Sequence, residues 1–311
     1  MHTFSPRFPR FQSLLCLKEI LHQQNFDLVH AHDPHALTAA WLARAHHRAI
    51  LVASRRVAYP LSRFWPGLAR YRAAHRIMAV SKFVAASVIS SGVDSERVVV
   101  VYDGVELPPP FTSEERAAAR RSLKISDSAP LIGCVGYLLP EKGQELLLHA
   151  IKEVVSQFPD CKLLLAGDGP MRSQLEALAK TLSLENNVIF AGFIADTESV
   201  YRALDVFVFP SLAEPLGSSL LAAMAHSLPV VAIASGGVPE IIDSGRNGIL
   251  ADAPDPAQLA RAICELLRNS EMASRLGASA RETISNRFNA SLLAENTLHE
   301  YKRALAVARR G

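Results

Sequence analysis

Short runs that are apolar at nearly every position recur along this chain, each followed by a longer amphipathic stretch. In the first third they are 27–31 (DLVHA), 49–53 (AILVA), 76–80 (RIMAV) and 97–102 (RVVVVY). Strands without polar alternation are buried on both faces. Strand–helix repetition with such strands implies a parallel sheet covered by helices on both sides. Helical patterns fit 10–24, 35–47 and 81–91. The repetition breaks at 103–113 (DGVELPPPFTS), where Pro108, Pro109 and Pro110 can neither continue a helix nor donate to a ladder. This stretch reads as a linker. Ser113 reads as the cap of a helix over 114–124, with Glu114 and Glu115 in its first turn. The alternation then restarts, with strands expected at 130–136, 161–166, 187–190, 205–209, 229–233 and 247–251. Helices are expected around 142–156, 170–183, 197–203, 217–226, 237–243 and 255–268, and two or three more over 270–308. At 311 residues the expectation is two doubly wound α/β domains. Their ligands would sit at the carboxyl ends of the strands, with the cleft between the domains as the default site.

Composition narrows the function classes. Apolar residues make up 49% and charged residues 20%, enough for two cores and too apolar for disorder. The longest apolar runs, such as 131–139 (LIGCVGYLL), fall far short of the ~20 residues that span a bilayer. The start, MHTFSPRFPRFQ, is followed by no apolar segment, so a secretory signal is not expected and the cytoplasm is. Net charge is only +3, too little to imply nucleic acid. Its distribution says more: residues 1–110 hold 13 Lys and Arg against 7 Asp and Glu, and the remainder is acidic. A basic first half suits a phosphate, an anionic phospholipid surface or an acidic saccharide, or is simply a solvated surface. Cys16, Cys134, Cys161 and Cys264 lack metal-ligand spacing. Cys134 and Cys161 read as small buried hydrophobes.

Four loops carry the chemistry. Gly136 ends a strand, and Lys142 with Gly143 opens a helix, a Lys beside free N–H groups that suits a phosphate. The order GxxxxGK[ST] is absent, so it is not a P-loop. Gly167-Asp168-Gly169-Pro170 is a tight strand-to-helix turn without the third glycine of a dinucleotide site. In Pro210-Ser-Leu-Ala-Glu214-Pro-Leu-Gly217-Ser218-Ser219, a carboxylate stands at the mouth of a turn that offers N–H groups, two hydroxyls and a helix start. That combination suits an anionic leaving group or a polyhydroxyl ligand. The fourth loop, Ser235-Gly236-Gly237-Val238-Pro239-Glu240, lets backbone approach a ligand closely.

Taken in order, VGYLLPEKG, LLLAGDGPMR, DVFVFPSLAEPLGSSLLAAMA, LPVVAIASGGVPEII and GRNGILADAPDPAQLARAI resemble retaining glycosyltransferases of the GT-B fold. That nucleotide-sugar family includes bacterial mannosyl- and lipopolysaccharide-core transferases. DLVHAHDPHA, IMAVSKFVAASVISSGV and VVYDGVEL resemble its first-domain segments. The resemblance implies two Rossmann-like domains: residues 1–108 on the acceptor side and 109–285 for the donor. A C-terminal helix, 286–311, would pack back toward the first domain. It implies transfer of a sugar from a nucleoside-diphosphate sugar to a saccharide or lipid-linked acceptor, with retention, and with neither a metal nor a further cofactor. Lys142 then matches the lysine on the donor diphosphate, and Glu214 the first glutamate of a paired motif, near the transferred sugar. Both are expected to be catalytic. Gly136, Gly217, Ser218, Gly236, Gly237 and Glu240 complete the expected donor contacts. A role in building cell-envelope polysaccharide follows from the same resemblance, and the basic N-terminal half is what would bring the chain to the anionic inner face of the membrane.

There are departures from the family pattern. Ala222 stands where the second glutamate falls, and Tyr137 where an arginine is usual. The strand, glycine loop and helix that open a complete family member have no counterpart, so the first domain is expected to be shortened. A catalytically impaired nucleotide-sugar-binding or partner protein is therefore the alternative reading. On the acceptor side, His30, His32 and His35 form an HxHxxH string with Asp33 beside them. A metal is one reading of it, and polar lining of the acceptor side, through His32, the preferred one. Relatives carry a histidine after the next strand. Here Arg55 and Arg56 follow instead, a pair suited to grip an acidic or phosphorylated acceptor.

Overall fold

A computed structural model describes residues 10–62 and 67–308; residues 1–9 of the N-terminal stretch read above lie outside them. The chain forms two compact units, Met1–Tyr102 with Ser291–Gly311, and Asp103–Ala290. No helix among the described residues is long and apolar enough to cross a membrane.

Unit 1 begins with α1 (Arg10–Gln23), β1 (Leu28–Ala31), α2 (Pro34–Leu42), β2 (Ile50–Arg55), α3 (Gly67–Ala73), β3 (Arg76–Ala79), α4 (Lys82–Ser90) and β4 (Val98–Val100). The strands pair in parallel in the order β1-β2-β3-β4. Leu28 stands opposite Ile50, Val52 opposite Arg76 and Ile77 opposite Val98. Every residue of β2 is buried, as its unbroken apolar run requires. Asp33 caps α2, its carboxylate accepting the N–H groups of His35 and Ala36. The helix expected to reach residue 47 stops at Leu42. Arg44 takes a left-handed φ of 58°, and one 3₁₀ turn follows.

Unit 2 contains α5 (Ser113–Ser122), β5 (Leu131–Val135), α6 (Gln144–Gln157), β6 (Lys162–Ala166), α7 (Arg172–Thr181), β7 (Val188–Gly192), α8 (Thr197–Ala203) and β8 (Val206–Phe209). It continues with α9 (Ser218–Ala225), β9 (Val230–Ile233), β10 (Ile249–Ala251), α10 (Pro256–Arg268) and α11 (Ser270–Arg287). Six parallel strands run in the order β10-β9-β8-β5-β6-β7, the doubly wound arrangement expected from the sequence. Leu147, Leu148 and Ile151 of α6 meet Leu259 and Ile263 of α10 in a core with no exposure. Each such side chain contributes about 1.5–3 kcal/mol by leaving water. The cap of α5 is Thr112, not Ser113: its hydroxyl accepts from Glu115 N–H while Glu115 reaches back to Thr112 N–H. From α5, Arg120 is buried against the sheet. It donates to Asp205, at the foot of β8, and to the Ala203 carbonyl.

The tri-proline stretch is held to unit 2. Val105 pairs with Asn289, exchanging backbone bonds with Phe288 and Ala290, and Arg281 donates to the Pro108 carbonyl at 2.7 Å. The last helix, α12 (Ala290–Ala308), runs in unit 1 from Ser291 onward. There Leu293, Tyr301, Ala304 and Leu305 cover Ile50, Val52, Met78 and Val101. Arg76 and Glu300 fasten it with a 2.6 Å ion pair.

Candidate functional site

Chain order reverses in unit 2 between β5 and β8, so the connections leave those strands in opposite directions and a crevice opens at their carboxyl ends. The loops after β5, β8 and β9 meet there. Lys142 arrives on a 3₁₀ turn, Pro140–Lys142, and Gly143 then starts α6 at φ 69°. A Cβ on Gly143 would lie 2.0 Å from the Pro210 carbonyl oxygen, so glycine is what lets the first two loops touch. Glu214 is 6% exposed. Its Oε2 accepts from Lys142 Nζ at 2.7 Å and from Ser211 Oγ at 3.0 Å. The third loop presses on the Glu214 backbone: Gly237 N–H donates to its carbonyl at 2.9 Å. Gly236, at φ 55°, leaves no room for a Cβ against the same oxygen. Ser235 Oγ donates to the Ser211 carbonyl, and Leu212 N–H to that of Glu141.

Beside the ion pair lies a cavity of about 500 Å³, lined by Gly136, Tyr137, Lys142, Gln144, Ser218, Ser219 and Ala222 among others. A Cβ on Gly136 would meet nothing, so that backbone faces open space. Gly217 (φ 117°) starts α9 and Gly143 starts α6, and neither start has a side-chain cap. Their first N–H groups and dipoles therefore favour an anion beside Lys142. Gln144, 2% exposed, donates to the Tyr137 carbonyl and holds the first loop's shape. Burial pushes the Cys134 thiol up to about 12 and raises the Tyr201 phenol as well, so both line the cavity uncharged. A larger hollow, about 640 Å³ beneath the three prolines, lies at the amino ends of β5, β8 and β9 and includes none of these loops.

The donor-side residues expected from the sequence thus converge at one end of one sheet. The exception in form is the last loop. The expected helix from 237 is a single 3₁₀ turn, Val238–Glu240; beyond it the Asn247 side chain takes the Asp243 N–H and the Ile241 carbonyl, groups that a continuing helix would pair along its own backbone. So short a turn carries little dipole. The Glu240 carbonyl accepts from Arg287. Sequence reasoning quoted Ser211 and Ser235 without roles and missed Gln144, Thr197 and Tyr201, which the fold brings in from separate elements. On unit 1, His32 is exposed at the carboxyl end of β1, and Arg56 is exposed just past β2. The expected arginine pair is not one: Arg55 is 2% exposed and turned into the core. It donates to Tyr71 Oη at 3.0 Å and to the Tyr59 carbonyl, with its guanidinium over the Tyr59 ring. It occupies an inward register of β2, and stacking on two tyrosines is what makes its burial tolerable.

Residues 115–283 match the family profile described as glycosyl transferases group 1, and residues 2–107 match glycosyltransferase family 4. An uncharacterized glycosyltransferase of Methanocaldococcus jannaschii is 32% identical over 74% of this chain and 60% of its own length. A lipopolysaccharide core biosynthesis glycosyltransferase of Rhizobium meliloti is 34% identical over 58% of this chain and 52% of its own. The chain thus spans between half and two thirds of these relatives. Among solved structures, Anabaena HepE in complex with UDP-glucose superposes with a TM-score of 0.82 at 25% identity, covering 95% of this chain and 84% of that one. A Rickettsia africae glycosyltransferase gives 0.84 at 21% identity, over 98% and 84%, a likeness of fold. With more than half its residues matched to one family profile, and that half carrying the Lys142–Glu214 site, the chain belongs to the group 1 glycosyltransferases.

Proposed function

We propose that this glycosyltransferase moves a sugar from a nucleoside-diphosphate sugar to a saccharide or lipid-linked acceptor, with retention of configuration. The observation that carries the reading is the Lys142–Glu214 pair, set among glycine turns where two uncapped helix starts converge. In this reading Lys142 leaves Glu214 for the diphosphate, and the N–H groups of α6 and α9 share the leaving group's charge. Such preorganised donors are often worth about 3 kcal/mol each in the transition state. Glu214, released from the lysine and still held by Ser211, orients the sugar hydroxyls. The acceptor attacks from the face the phosphate leaves, and the phosphate takes its proton. Gly136, Gly217, Ser218, Gly236, Gly237 and Glu240 complete the donor contacts, and His32 and Arg56 serve the acceptor. The reaction uses neither a metal nor a further cofactor. HepE bound to UDP-glucose and relatives named for GDP-mannose support a nucleotide-sugar donor.

A cytoplasmic enzyme of cell-envelope polysaccharide synthesis fits this chemistry, with the basic first half resting on an anionic inner membrane face. The second reading, a binding or partner protein with impaired catalysis, is favoured by Ala222, which lines the cavity without a carboxylate. One experiment separates the two. Lys142→Ala is expected to weaken UDP or GDP binding by about 1.5–3 kcal/mol, the worth of a charge-assisted hydrogen bond. Calorimetry measures that, and turnover of UDP-glucose and GDP-mannose, with the product anomer read by NMR, measures transfer. Tight binding without turnover selects the second reading; unchanged affinity for both nucleotides removes the diphosphate from this site.

A further inference from the structure

The carboxyl ends of β1 and β2 hold a second polar group of residues. His30, on β1, has both ring nitrogens engaged. Nδ1 lies 2.5 Å from Tyr301 Oη on α12, and Nε2 lies 2.8 Å from Ser54 Oγ on β2. The Tyr301 ring meets the imidazole edge-on at 5.5 Å, and the exposed His32 ring lies 4.0 Å away. Ser54 is 7% exposed. Leu293, Ala304 and Leu305 already seat α12 on its apolar cluster, so the polar contact is additional to what packing needs.

The direction of the hydrogens follows from acidity. A phenol is a far stronger acid than an alcohol, even with the Tyr301 phenol raised by burial, which favours Tyr301 over Ser54 as the donor to the ring. The ring hydrogen then sits on Nε2 and goes to Ser54 Oγ. The Ser54 hydroxyl hydrogen ends the series, and each bond polarises the next. Burial, then His32 and Arg56, hold the His30 pKa down at about 4, so the ring stays a neutral link at pH 7.

We infer that His30 is a positioning residue, a bridge from Tyr301 to Ser54 that presents the Ser54 hydroxyl as a donor to an oxygen of the acceptor, beside His32. This rests on the transferase reading above. The group would bind a hydroxyl, ether or phosphate oxygen, and α12 would set its geometry from the far end of the sequence.

Nitrogen-15 labelling of the histidine rings in the full chain reads the bridge directly. At pH 7 His30 is expected as a single Nε2–H tautomer. Tyr301→Phe is expected to give mixed tautomers. An Nδ1–H tautomer in the unaltered chain, or an unmixed Nε2–H tautomer in Tyr301→Phe, overturns the bridge. A second measurement reads the ratio of transfer to hydrolysis, with octyl β-D-glucoside as acceptor and whichever of UDP-glucose and GDP-mannose turns over. Ser54→Ala and Tyr301→Phe are each expected to lower that ratio about five-fold, as for one neutral hydrogen bond, and Ser54→Thr to restore it. A ratio untouched by either variant overturns the positioning role. Consumption of neither donor sinks the transferase reading and with it the acceptor role, while the ring spectra still decide the bridge.

Discussion

Ala222 stands half-buried one turn into α9, lining the donor cavity. Its side chain leaves a hydroxyl-bearing ligand without a carboxylate partner on that wall. Ala222→Glu has room toward the cavity, so the fold is expected to persist, with UDP binding tighter by about 1.5–3 kcal/mol. Calorimetry and a thermal melt check both parts, and a melt lowered by tens of degrees would place position 222 in the core instead. His30 makes the opposite kind of statement. Its pKa is about 4 in the fold against an ordinary 6.5, so the unfolded chain takes up the proton first. Through His30, stability is therefore lost as pH falls from about 6.5 to about 4, and this group adds no further loss below that. His46, His75 and His226 are lowered too, chiefly by burial, and add to the same trend. Urea titrations at a series of pH values are expected to show this slope, reduced in His30→Gln.

At the scale of elements, most of the strands were legible because burial on both faces leaves only apolar residues to choose from. β2, β5 and β8 are such cases. What stayed hidden was set by backbone geometry or by distance along the chain. Arg44 ends α2 through a left-handed dihedral that an arginine does not advertise, and the turn after β9 stays 3₁₀ where Asn247, several residues on, takes the backbone groups of Ile241 and Asp243. Lys142, Glu214 and the glycines could be located because they lie in contiguous motifs. Gln144, Ser211 and Ser235 serve those motifs through contacts visible only in three dimensions, and Arg55 was misread because its tyrosine partners were not in view. The anchoring of α5 belongs to this scale as well. Asp205 accepts from Arg116, Arg120 and Leu131 N–H, and Arg120 is almost wholly buried. Removing the carboxylate leaves the buried Arg120 guanidinium to the carbonyls of Ala203, Ser126, Asp127 and Ala129, so Asp205→Ala should cost about 1.5–3 kcal/mol, the worth of hydrogen bonds to a charged group, read from a urea unfolding midpoint. Thr112→Ala, which removes only a cap, should cost about 1 kcal/mol in the same assay.

Over the whole molecule, the two units differ in how their sheets are shielded. β5 and β8 lie in the middle of six strands, whereas β1 pairs with β2 alone among the described strands and is half-buried. Amide hydrogen exchange should therefore be slowest in β5, β6 and β8 and distinctly faster in β1. Equal protection would mean that β1 is as well covered as the central strands. The pairing of Val105 with Asn289 carries a further consequence. Unit 2 is entered and left at one point, so in the linear chain it is an insertion between β4 and α12. On a ribosome, it is complete before α12 has been made. Ile50, Val52, Met78 and Val101, synthesised early, must wait for the last helix to be covered. Of the two units, unit 1 is thus begun before unit 2 and completed after it, and in the interval its open apolar face is where a chaperone, or an aggregate, would take hold.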